Sequence, residues 1–352
     1  MRPATGGDPP AVCLTISLVT FNGMRWLPAC IRSVRSQDFD RYELIVRDNA
    51  STDGSRQWLR EQAANDPRMR LVESGQNLGF AAAHNRVIAL SSAEFVLLLN
   101  QDLELDPGFL RHAVAAFARG ADVGAVQGRL RRLGADGGRT NVIDSTGLVM
   151  FRDRRVVSRG QGKDDAPGLH VPGPIFGADG PAPVYRRSAL IDARLPRRGG
   201  GWEMLDEDFF MYKEDVDLAW RLRLLGWTAW YEPSAIAWHA RGAGGSPTQG
   251  LRAIARSNRA LPRRVRMLSW RNQRLMQVKN ETMGPFRRDL PSIARREALS
   301  LGYMLLGDPL SLAALAGLAR RLPWAMRKRI YLQKRCVGRS STVGRWLAGP
   351  DS

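Results

Sequence analysis

The chain has 352 residues, of which 44% are apolar and 25% charged, a composition typical of a globular protein with one large domain or two. Its formal charge is +19, and from Arg252 onward 22 lysines and arginines face 5 acids, a net +17. Three cysteines without metal-ligand spacing argue against a disulfide framework and fit a reducing cytosol. Residues 1–11 lack the apolar core of a signal peptide, and we find no clean apolar stretch of bilayer length.

Short apolar runs alternate with helical patterns in the first third of the chain. Strands are predicted at residues 12–21, 43–46 and 70–73, and a helix with apolar residues at near-helical spacing follows the first strand. This alternation indicates right-handed βαβ units and a parallel sheet. The Gly-x-Gly-x-x-Gly fingerprint is absent after the first strand, so the motif of an NAD site is missing.

Polar loops follow these strands, and each allows a structural and a ligand-binding interpretation. Asp53 or Ser55 can cap the helix predicted from about residue 55. Asp48 can instead accept hydrogen bonds from a base or ribose, as acidic strand-end residues do in dinucleotide folds. In residues 77–85, small side chains allow backbone N–H groups to approach a phosphate, although simple packing of an Ala-rich helix explains them equally well.

The apolar run at residues 95–99 predicts a strand that is buried on both faces and followed by Asn100-Gln101-Asp102. Ligands of open α/β sheets bind at the carboxyl ends of strands. A carboxylate at this position, Asp102, can hold a hard divalent cation such as Mg²⁺ together with substrate phosphates. The structural alternative is a strand-to-helix turn in which Asp106 caps a helix that begins at Pro107.

Four motifs together resemble the family 2 glycosyltransferases, which have the GT-A fold and use nucleotide-sugar donors. They are Thr20-Phe21-Asn22, residues 48–55, residues 77–80 with Asn85, and Asn100-Gln101-Asp102. The resemblance implies a nucleotide pocket formed by Thr20, Asn22, Asp48, Ser51, Asp53, Asn77, Gly79, Asn85, Asn100 and Gln101. It also implies that Asp102 is the metal-facing carboxylate of a D-x-D-type motif. Asn100 replaces the first acid of that motif, a mild departure that makes metal binding depend on the diphosphate and another ligand.

A second strong pattern begins at Glu214 and Asp215, which start a helix predicted to end near Gly226. The helix dipole favours an ionised carboxylate in the first turn, and such a group suits a base that deprotonates a sugar hydroxyl. Acids at helix N-termini are common, however, and most are not catalytic. The segment resembles the family's E-D-x-D-L-x-x-R pattern, which implies that Asp215 is the general base, with Glu214 beside it. Asp217 and Arg221 are spaced i,i+4, which predicts a structural ion pair.

Three further residues are candidates near the substrate. By resemblance, Asp179 in a Gly-rich stretch lies beside the acceptor pocket and contacts the acceptor or the donor sugar. Strands are predicted at residues 227–231 and 235–238, followed by His239 and Arg241. A lone histidine is more often structural than a ligand, but family members often place one here, so His239 is a candidate second metal ligand. Arg241 is a candidate phosphate contact.

The basic tail, after about residue 248, is predicted to be helical. Residues 298–319 form an apolar hairpin that breaks at Gly307-Asp308-Pro309, and each half is too short to span a membrane. The hairpin can pack on the catalytic domain, or its basic flanks can bind an anionic membrane. Nucleic acid is not expected, because no recognised motif is present. We therefore divide the chain into a flexible tail (1–11), a GT-A catalytic domain (12–248) and a basic helical region (249–352) that is a candidate for membrane association.

These patterns predict an inverting, metal-dependent hexosyltransferase with an α/β, Rossmann-like, mostly parallel sheet and a C-terminal helical extension. The cofactor is expected to be Mg²⁺ or Mn²⁺. By resemblance to bacterial rhamnosyltransferases, the donor is dTDP-rhamnose and the acceptor a saccharide or polyprenyl-diphosphate-linked glycan of the cell envelope. The expected location is the cytoplasm, at the inner face of the cytoplasmic membrane. Alternatives are a UDP- or GDP-sugar donor, a nucleotidyltransferase, or a non-enzymatic adaptor that binds membrane or nucleic acid.

Overall fold

A computed structural model describes residues 12–134, 136–241, 261–337 and 340–348. The tail predicted at residues 1–11 and the predicted domain boundary at 248/249 lie outside the described residues, so the division into domains stays a prediction.

A mixed sheet forms the centre of the molecule. The strands are β1 (Leu14–Thr20), β2 (Tyr42–Asp48), β3 (Met69–Glu73), β4 (Phe95–Asn100), β5 (Leu103–Leu105), β6 (Val123–Leu133), β7 (Arg139–Ser145), β8 (Leu148–Phe151), β9 (Val156–Ser158), β10 (Gly173–Ile175), β11 (Val184–Arg186), β12 (Leu195–Pro196), β13 (Trp202–Glu203), β14 (Thr228–His239) and β15 (Leu347–Ala348). In the described part of the chain the central strands lie in the order β10-β14-β6-β11-β4-β1-β2-β3, with β5 on β14 and β7 on β6.

Strands β3, β2, β1 and β4 are parallel to one another, and β14 is parallel to β6, whereas β11 and β10 run antiparallel to their neighbours. The predicted mostly parallel α/β sheet is therefore confirmed. Its central strands read as continuous apolar runs because nearly every side chain of β1 and β4 is buried. This arrangement places the ends of β1, β2 and β4 at one edge.

Helices flank the sheet and continue beyond it. They are α1 (Leu27–Arg35), α2 (Ser55–Ala64), α3 (Gly79–Ile88), α4 (Phe109–Ala115), α5 (Arg187–Asp192), α6 (Glu214–Leu224), α7 (Arg263–Asn280), α8 (Met283–Gly307) and α9 (Ala313–Arg335). Short 3₁₀ turns occur at Ala116–Arg119, Pro167–Leu169, Glu207–Phe209, Pro309–Leu312 and Ser340–Trp346. Helix α1 buries Leu27, Cys30, Ile31 and Val34 against the sheet, as its apolar spacing predicts.

Two local predictions were wrong. The two strands predicted at 227–231 and 235–238 are one strand, β14, whose pairing with β6 shifts register between Glu232 and Ile236. A bulge absorbs the extra residues without ending the strand. After Asp102 the chain forms strand β5 and not a turn into a helix, and α4 begins only at Phe109.

The C-terminal helices pack on the sheet domain, and the predicted break at Gly307-Asp308-Pro309 separates α8 from α9. The predicted hairpin was wrong, because α9 packs along α7 instead of α8. Leu275 of α7 and Leu332 of α9 join the same buried cluster as Trp220 of α6. A strand that we did not predict, β15, pairs in parallel with β8. In the described residues no helix combines the length and apolar character that crossing a membrane requires.

Candidate active site

The candidate site lies where the loops after β1, β2, β4 and β14 meet. Non-glycine residues with positive φ are concentrated in these loops and in the segment before α6: Asn22, Ala50, Phe210, Tyr212, Lys213 and Arg241. Such conformations cost about 1–3 kcal/mol each and persist only where surrounding contacts impose them. Backbone strain therefore accompanies the loops that sequence patterns assigned to substrate binding.

The loops after β1 and β4 are joined by one amide. Gln101 Oε1 accepts hydrogen bonds from Thr20 Oγ1 (2.5 Å) and from the backbone N–H of Phe21 (3.0 Å). Its side-chain N–H₂ donates to the carbonyl of Phe21 at 3.4 Å. The predicted donor-binding residues Thr20 and Gln101 therefore do come together, but each already contacts the other, and their contact with a nucleotide stays a prediction.

The loop after β2 is held mainly by its own polar side chains. Asp48 is fully buried and accepts from the backbone N–H of Ser51 and from the Arg56 guanidinium, with Arg56 Nε at 3.0 Å. Asp53 accepts from the N–H of Met24 (2.9 Å) and from that of Ser55 (3.1 Å). The Asp53 carboxylate thus joins the two strand-end loops, whereas the N-cap of α2 is Gly54 and makes no side-chain capping hydrogen bond.

Asn22 connects the same two loops from the other side. Its Oδ1 accepts from the N–H of Thr52 at 2.8 Å, while its own backbone N–H donates to Ser51 Oγ at 2.9 Å. With φ at +49°, Asn22 adopts a left-handed conformation that asparagine tolerates better than most residues. Asn22 and Ser51 therefore lie together at the predicted pocket.

The N–H groups at the start of α3 already have partners within the chain, which favours the packing interpretation of residues 77–85; a phosphate contact there stays a prediction. The N–H of Leu78 donates to Asn49 Oδ1, that of Gly79 to Asn77 Oδ1, and that of Phe80 to the carbonyl of Phe210 at 2.7 Å. Gly79 has φ of +80°, and a Cβ there would lie 2.5 Å from the Phe210 ring. The small residue is needed for the close approach of Phe210 rather than for that of a ligand.

Asn85 has a structural role within the same helix. Its amide donates to the carbonyl of Leu205 (2.8 Å) and to Glu207 Oε1 (3.1 Å), and its Oδ1 accepts from the N–H of Leu205 (2.9 Å). The side chain is 7% exposed. Asn85 thus anchors the segment that leads towards α6, and its predicted contact with a nucleotide finds no support in this geometry.

Asp102 and His239 come together at the opposite end of the site. Strand β5 pairs with β14, so that the carbonyl of Asp102 accepts from the N–H of Ala240 at 3.0 Å. His239 Nε2 lies 3.4 Å from Asp102 Oδ1, and the Asp102 side chain is 19% exposed. The two side chains predicted to hold a cation therefore face each other at the rim of the cleft.

Asp144, at the end of β7, is a candidate functional residue that sequence reasoning missed. Its Oδ2 lies 2.8 Å from His239 Nδ1, and its Oδ1 accepts from the Arg241 guanidinium at 2.7 Å. Burial raises the pKa of Asp144, but the contacts with His239 and Arg241 outweigh burial and lower that pKa below its ordinary value. Burial similarly disfavours the charged form of His239, yet Asp102 and Asp144 raise the pKa of this imidazole to about 9.

These residues fit a divalent cation that is shared with substrate. Among the described residues no three acids, histidines or cysteines converge on one point, because Asp144 and Asp102 lie on opposite sides of the imidazole. The protein therefore offers one carboxylate oxygen and one imidazole nitrogen. Mg²⁺ and Mn²⁺ accept such partial sets, with substrate phosphate and water supplying the remaining ligands.

Asp215 sits in the first turn of α6, where the helix starts after three positive-φ residues. Its Oδ2 accepts from the N–H of Gly180 at 3.1 Å, and its Oδ1 accepts from the N–H of Val216 at 2.7 Å. A Cβ at position 180 would lie 3.2 Å from Asp215 Oδ2, so the glycine allows this approach. These bonds fix the orientation of a partly exposed carboxylate at the cleft.

Burial and neighbouring negative charges raise the pKa values of two acids in this turn, Glu214 and Asp215. Desolvation first, and then the nearby Asp179, raise the pKa of Asp215 to about 6. Burial and Asp215 raise the pKa of Glu214 to about 8, and within the described chain Glu214 Oε2 has no hydrogen-bond partner. Of the two acids, Asp215 thus ionises first, which suits a base at neutral pH.

The short segment 179–181 links the two halves of the site. The N–H of Asp179 donates to Gln127 Oε1 at 2.7 Å, and the next N–H, of Gly180, reaches Asp215. The carbonyl of Pro181 accepts from the N–H of Asn100 at 3.0 Å, two positions before Asp102. Asp215 and the strand that leads to Asp102 therefore both contact segment 179–181.

Behind α6, a buried charge network connects the catalytic turn to the C-terminal helices. The predicted Asp217–Arg221 ion pair is confirmed at 2.9 Å with both side chains fully buried. Lys279 of α7 contacts Asp217 at 2.8 Å and also Asp206, while Lys328 of α9 contacts Asp206 Oδ1 at 2.6 Å. The basic tail thus contributes two buried lysines to the support of α6, a role that its composition did not reveal.

Comparison with known proteins agrees with this architecture. The sequence model of glycosyl transferase family 2 matches residues 15–192, just over half of the chain. An N-acetylglucosaminyl-diphospho-decaprenol L-rhamnosyltransferase of Mycobacterium tuberculosis is 30% identical over 241 residues, covering 61% of this chain and 72% of that relative.

Solved structures share the fold at lower identity. The mannosyltransferase PcManGT from Pyrobaculum calidifontis, in complex with GDP-Man and Mn²⁺, is 20% identical with a TM-score of 0.51, covering 98% of this chain and 91% of that one. S. aureus TarS 1–349 in complex with UDP-GlcNAc is 15% identical with a TM-score of 0.54, covering 95% and 90%. At these identities the likeness concerns the fold alone.

Proposed function

This chain belongs to glycosyl transferase family 2, and from that premise we propose that it moves one sugar from a nucleotide-sugar donor to a glycan acceptor with inversion. Its GT-A fold and family make it a glycosyltransferase; the residue roles, donor and acceptor given below belong to the proposal. The observation that carries it is the link through segment 179–181, in which Gly180 binds Asp215 and Pro181 binds Asn100, two residues before Asp102.

Asp215 is the proposed general base. Its carboxylate is oriented by the N–H groups of Gly180 and Val216, and its raised pKa keeps it basic enough to take a proton from an acceptor hydroxyl. The oxygen so activated attacks the anomeric carbon from the side opposite the leaving nucleoside diphosphate, which inverts the configuration. Glu214, with its higher pKa, stays protonated next to Asp215 and adds no second charge at neutral pH.

Asp102 and His239 are the proposed protein ligands of a divalent cation, Mg²⁺ or Mn²⁺. When bound, such an ion neutralises the charge that develops on the departing diphosphate. Asp144 holds the His239 ring so that Nε2 faces Asp102. Arg241, paired with Asp144, lies next to this pair and supplies a positive charge that favours the leaving phosphate.

The donor is proposed to bind over the loops after β1 and β2, beside Thr20, Asn22, Ser51 and Asp48. We propose dTDP-rhamnose, because the relative with 30% identity is named as a rhamnosyltransferase. A UDP- or GDP-sugar is the second candidate, since the solved structures of the same fold contain UDP-GlcNAc or GDP-Man.

The acceptor is proposed to be a polyprenyl-diphosphate-linked glycan of the cell envelope, in line with the acceptor in that relative's name. We place the enzyme in the cytoplasm, peripherally on the inner face of the membrane. Exposed apolar residues recur on one face of α9: Leu315, Leu322, Met326 and Ile330. Their spacing of 7, 4 and 4 residues defines a stripe opposite the buried face, and Arg320 and Arg327 flank it.

A transfer assay tests this function. The protein is incubated with Mn²⁺, a lipid extract containing polyprenyl-diphosphate-linked sugars, and dTDP-rhamnose, UDP-GlcNAc or GDP-mannose in separate reactions. We expect one donor to be consumed in an acceptor-dependent manner, with dTDP-rhamnose preferred, and the product's anomeric configuration to be inverted by NMR. Retention of configuration would exclude the single displacement by Asp215, and turnover of UDP-GlcNAc alone would replace rhamnose by the second candidate.

A further inference from the structure

An arginine-lined groove lies between α7 and α9, outside the site described above. Its volume is about 310 Å³, and its lining divides into five cations and five apolar or small residues. The cations are Arg263, Arg264, Arg271, Arg320 and Arg321, and the remainder are Met267, Leu268, Ala313, Ala314 and Gly317. Among the described residues, the lining of this groove contains no acid, so its charge complements a polyanion and its walls accept hydrocarbon.

The positive charges are crowded at the bottom of this groove. Arg271 is 8% exposed and donates to the carbonyls of Asp208 (2.9 Å) and Phe209 (3.2 Å). Burial and the neighbouring Arg321 lower the pKa of Arg271 to about 10. Of the neighbouring acids, Asp208 already faces Arg198, Arg321 and Lys328, and Asp308 pairs with Arg266. Like charges held this close favour an anion of more than one charge between them.

The groove adjoins the chain that leads into the catalytic turn. Arg264 places its guanidinium carbon 4.7 Å from the centre of the Phe210 ring. Asn272, next to Arg271, donates to the carbonyls of Phe209, Met211 and Tyr212 at 2.8–3.0 Å. These contacts hold residues 209–212, and α6 starts two positions later, at Glu214. A ligand in the groove therefore lies behind the segment that orients Asp215.

An apolar tip, formed by the end of α8 and the turn into α9, lies at one end of the groove. Leu306 is 91% exposed and Leu305 is 53% exposed, and both immediately precede the turn at Asp308. Arg266 of α7 binds Asp308 at 2.9 Å, which fixes the tip beside the first turn of α7, where Arg263 and Arg264 lie. Exposed leucines next to a basic cleft fit a lipid bilayer with phosphates at its surface better than they fit a free anion.

We propose that this groove binds the diphosphate of the lipid-linked acceptor, while the α8–α9 tip inserts into the bilayer that carries the lipid. This inference rests on the proposed function and assigns its acceptor a binding site. The guanidinium groups hold phosphate oxygens through charge-assisted hydrogen bonds, and the apolar wall holds the first isoprene units. The sugar on the diphosphate then lies beside residues 209–213, the segment that leads to Asp215.

The test measures binding of farnesyl diphosphate to the full chain by calorimetry, in EDTA so that the metal-dependent donor site does not retain the probe. The double variant Arg264→Gln/Arg320→Gln is compared with Arg32→Gln/Arg70→Gln. The second variant removes the same charge from exposed positions that are distant in sequence from the groove. We expect the groove variant to weaken binding at least about tenfold and the control to bind like the wild type. Equal affinity of the groove variant and the wild type would overturn the proposal.

Two further probes distinguish the source of the phosphate. Inorganic diphosphate and farnesol are each expected to bind at least about tenfold more weakly than farnesyl diphosphate, because each offers half of the required chemistry. Inorganic diphosphate binding as tightly as farnesyl diphosphate would instead indicate a free anion and reject the lipid. If the groove does not bind the lipid diphosphate, these affinities will show it. If the proposed function is wrong, the turnover of Asp215 variants will show it, so the two outcomes remain separate.

Discussion

His239 Nδ1 lies 2.8 Å from Oδ2 of Asp144, a buried carboxylate 95 positions earlier in the chain. The bond turns the other ring nitrogen towards Asp102, at 3.4 Å. With a pKa of about 9, the His239 ring carries protons on both nitrogens at neutral pH. A cation that binds Nε2 would therefore displace the proton on that nitrogen, while Nδ1 keeps its own proton towards Asp144.

Replacement of Asp144 by Asn is therefore expected to weaken binding of Mn²⁺ roughly 10- to 100-fold, because the ring loses the acceptor that sets its tautomer. Electron paramagnetic resonance measures free Mn²⁺ in the presence of nucleoside diphosphate, without reference to activity. Asp165→Asn is the matched control, since Asp165 is also a buried aspartate paired with arginines, Arg129 and Arg131. Equal Mn²⁺ affinity in Asp144→Asn and wild type would reject the orienting role.

The pH profile of turnover reports on Asp215. Because a base acts only when ionised, kcat is expected to rise as pH rises through about 6. Asp179 raises the pKa of Asp215, while Lys213 opposes that shift; Glu214 and Tyr185 also face the carboxylate. Asp179→Asn removes a like charge and is expected to move the acidic limb to lower pH. The exposed control Asp164→Asn should leave the limb in place, and an identical shift in both variants would contradict this assignment.

Gly79 tests the packing of α3 against the strained segment before α6. Gly79→Ala places a methyl group 2.5 Å from Phe210 in a residue with φ of +80°. We expect a loss of roughly 1–3 kcal/mol in the free energy of unfolding, measured by urea denaturation. Gly75→Ala is the control, because a Cβ there meets no atom within 4 Å and its φ is not in the left-handed region. A loss in Gly75→Ala as large as that in Gly79→Ala would remove the steric explanation.

Lys328 tests the attachment of the C-terminal helices. Its ammonium contacts Glu203 and Asp206 at 2.6 Å and Asp208 at 2.9 Å, and the side chain is 1% exposed. Lys328→Met leaves buried acids without their cation, so unfolding should become easier by roughly 3–5 kcal/mol. Lys334→Met, on the exposed last turn of α9, should change stability by less than about 0.5 kcal/mol. Similar urea midpoints for the two variants would show that the buried lysine is dispensable.

Much of the site could be predicted because its signals are local in the chain. The apolar run before Asn100-Gln101-Asp102 and the acids that open α6 both identify their element and its end. Family resemblance then singled out Asp215 and Asp102. At Gly79, however, the sequence could not distinguish phosphate binding from packing, because a glycine indicates a close approach but not whether a ligand or a side chain approaches.

What could not be predicted depends on partners distant in sequence. Asp144 lies in a β7 strand with no motif around it, and only the pairing of β7 with β6, and of β6 with β14, brings it to His239. Lys279 and Lys328 looked like part of a solvated basic tail, yet both are buried against acids that precede α6. Strand β15 is two residues long and gives no periodic signal.

Whether Asp215 is the general base is tested by the rate of nucleoside diphosphate release from Asp215→Asn in the presence of acceptor. The substitution keeps the size of the side chain and removes the base, so we predict a rate about 10²- to 10⁴-fold below wild type. Donor and Mn²⁺ affinity, which depend on the Asp102 side of the cleft, should change less than about threefold in the same protein. Release by Asp215→Asn at the wild-type rate would contradict the assignment of this carboxylate as the base.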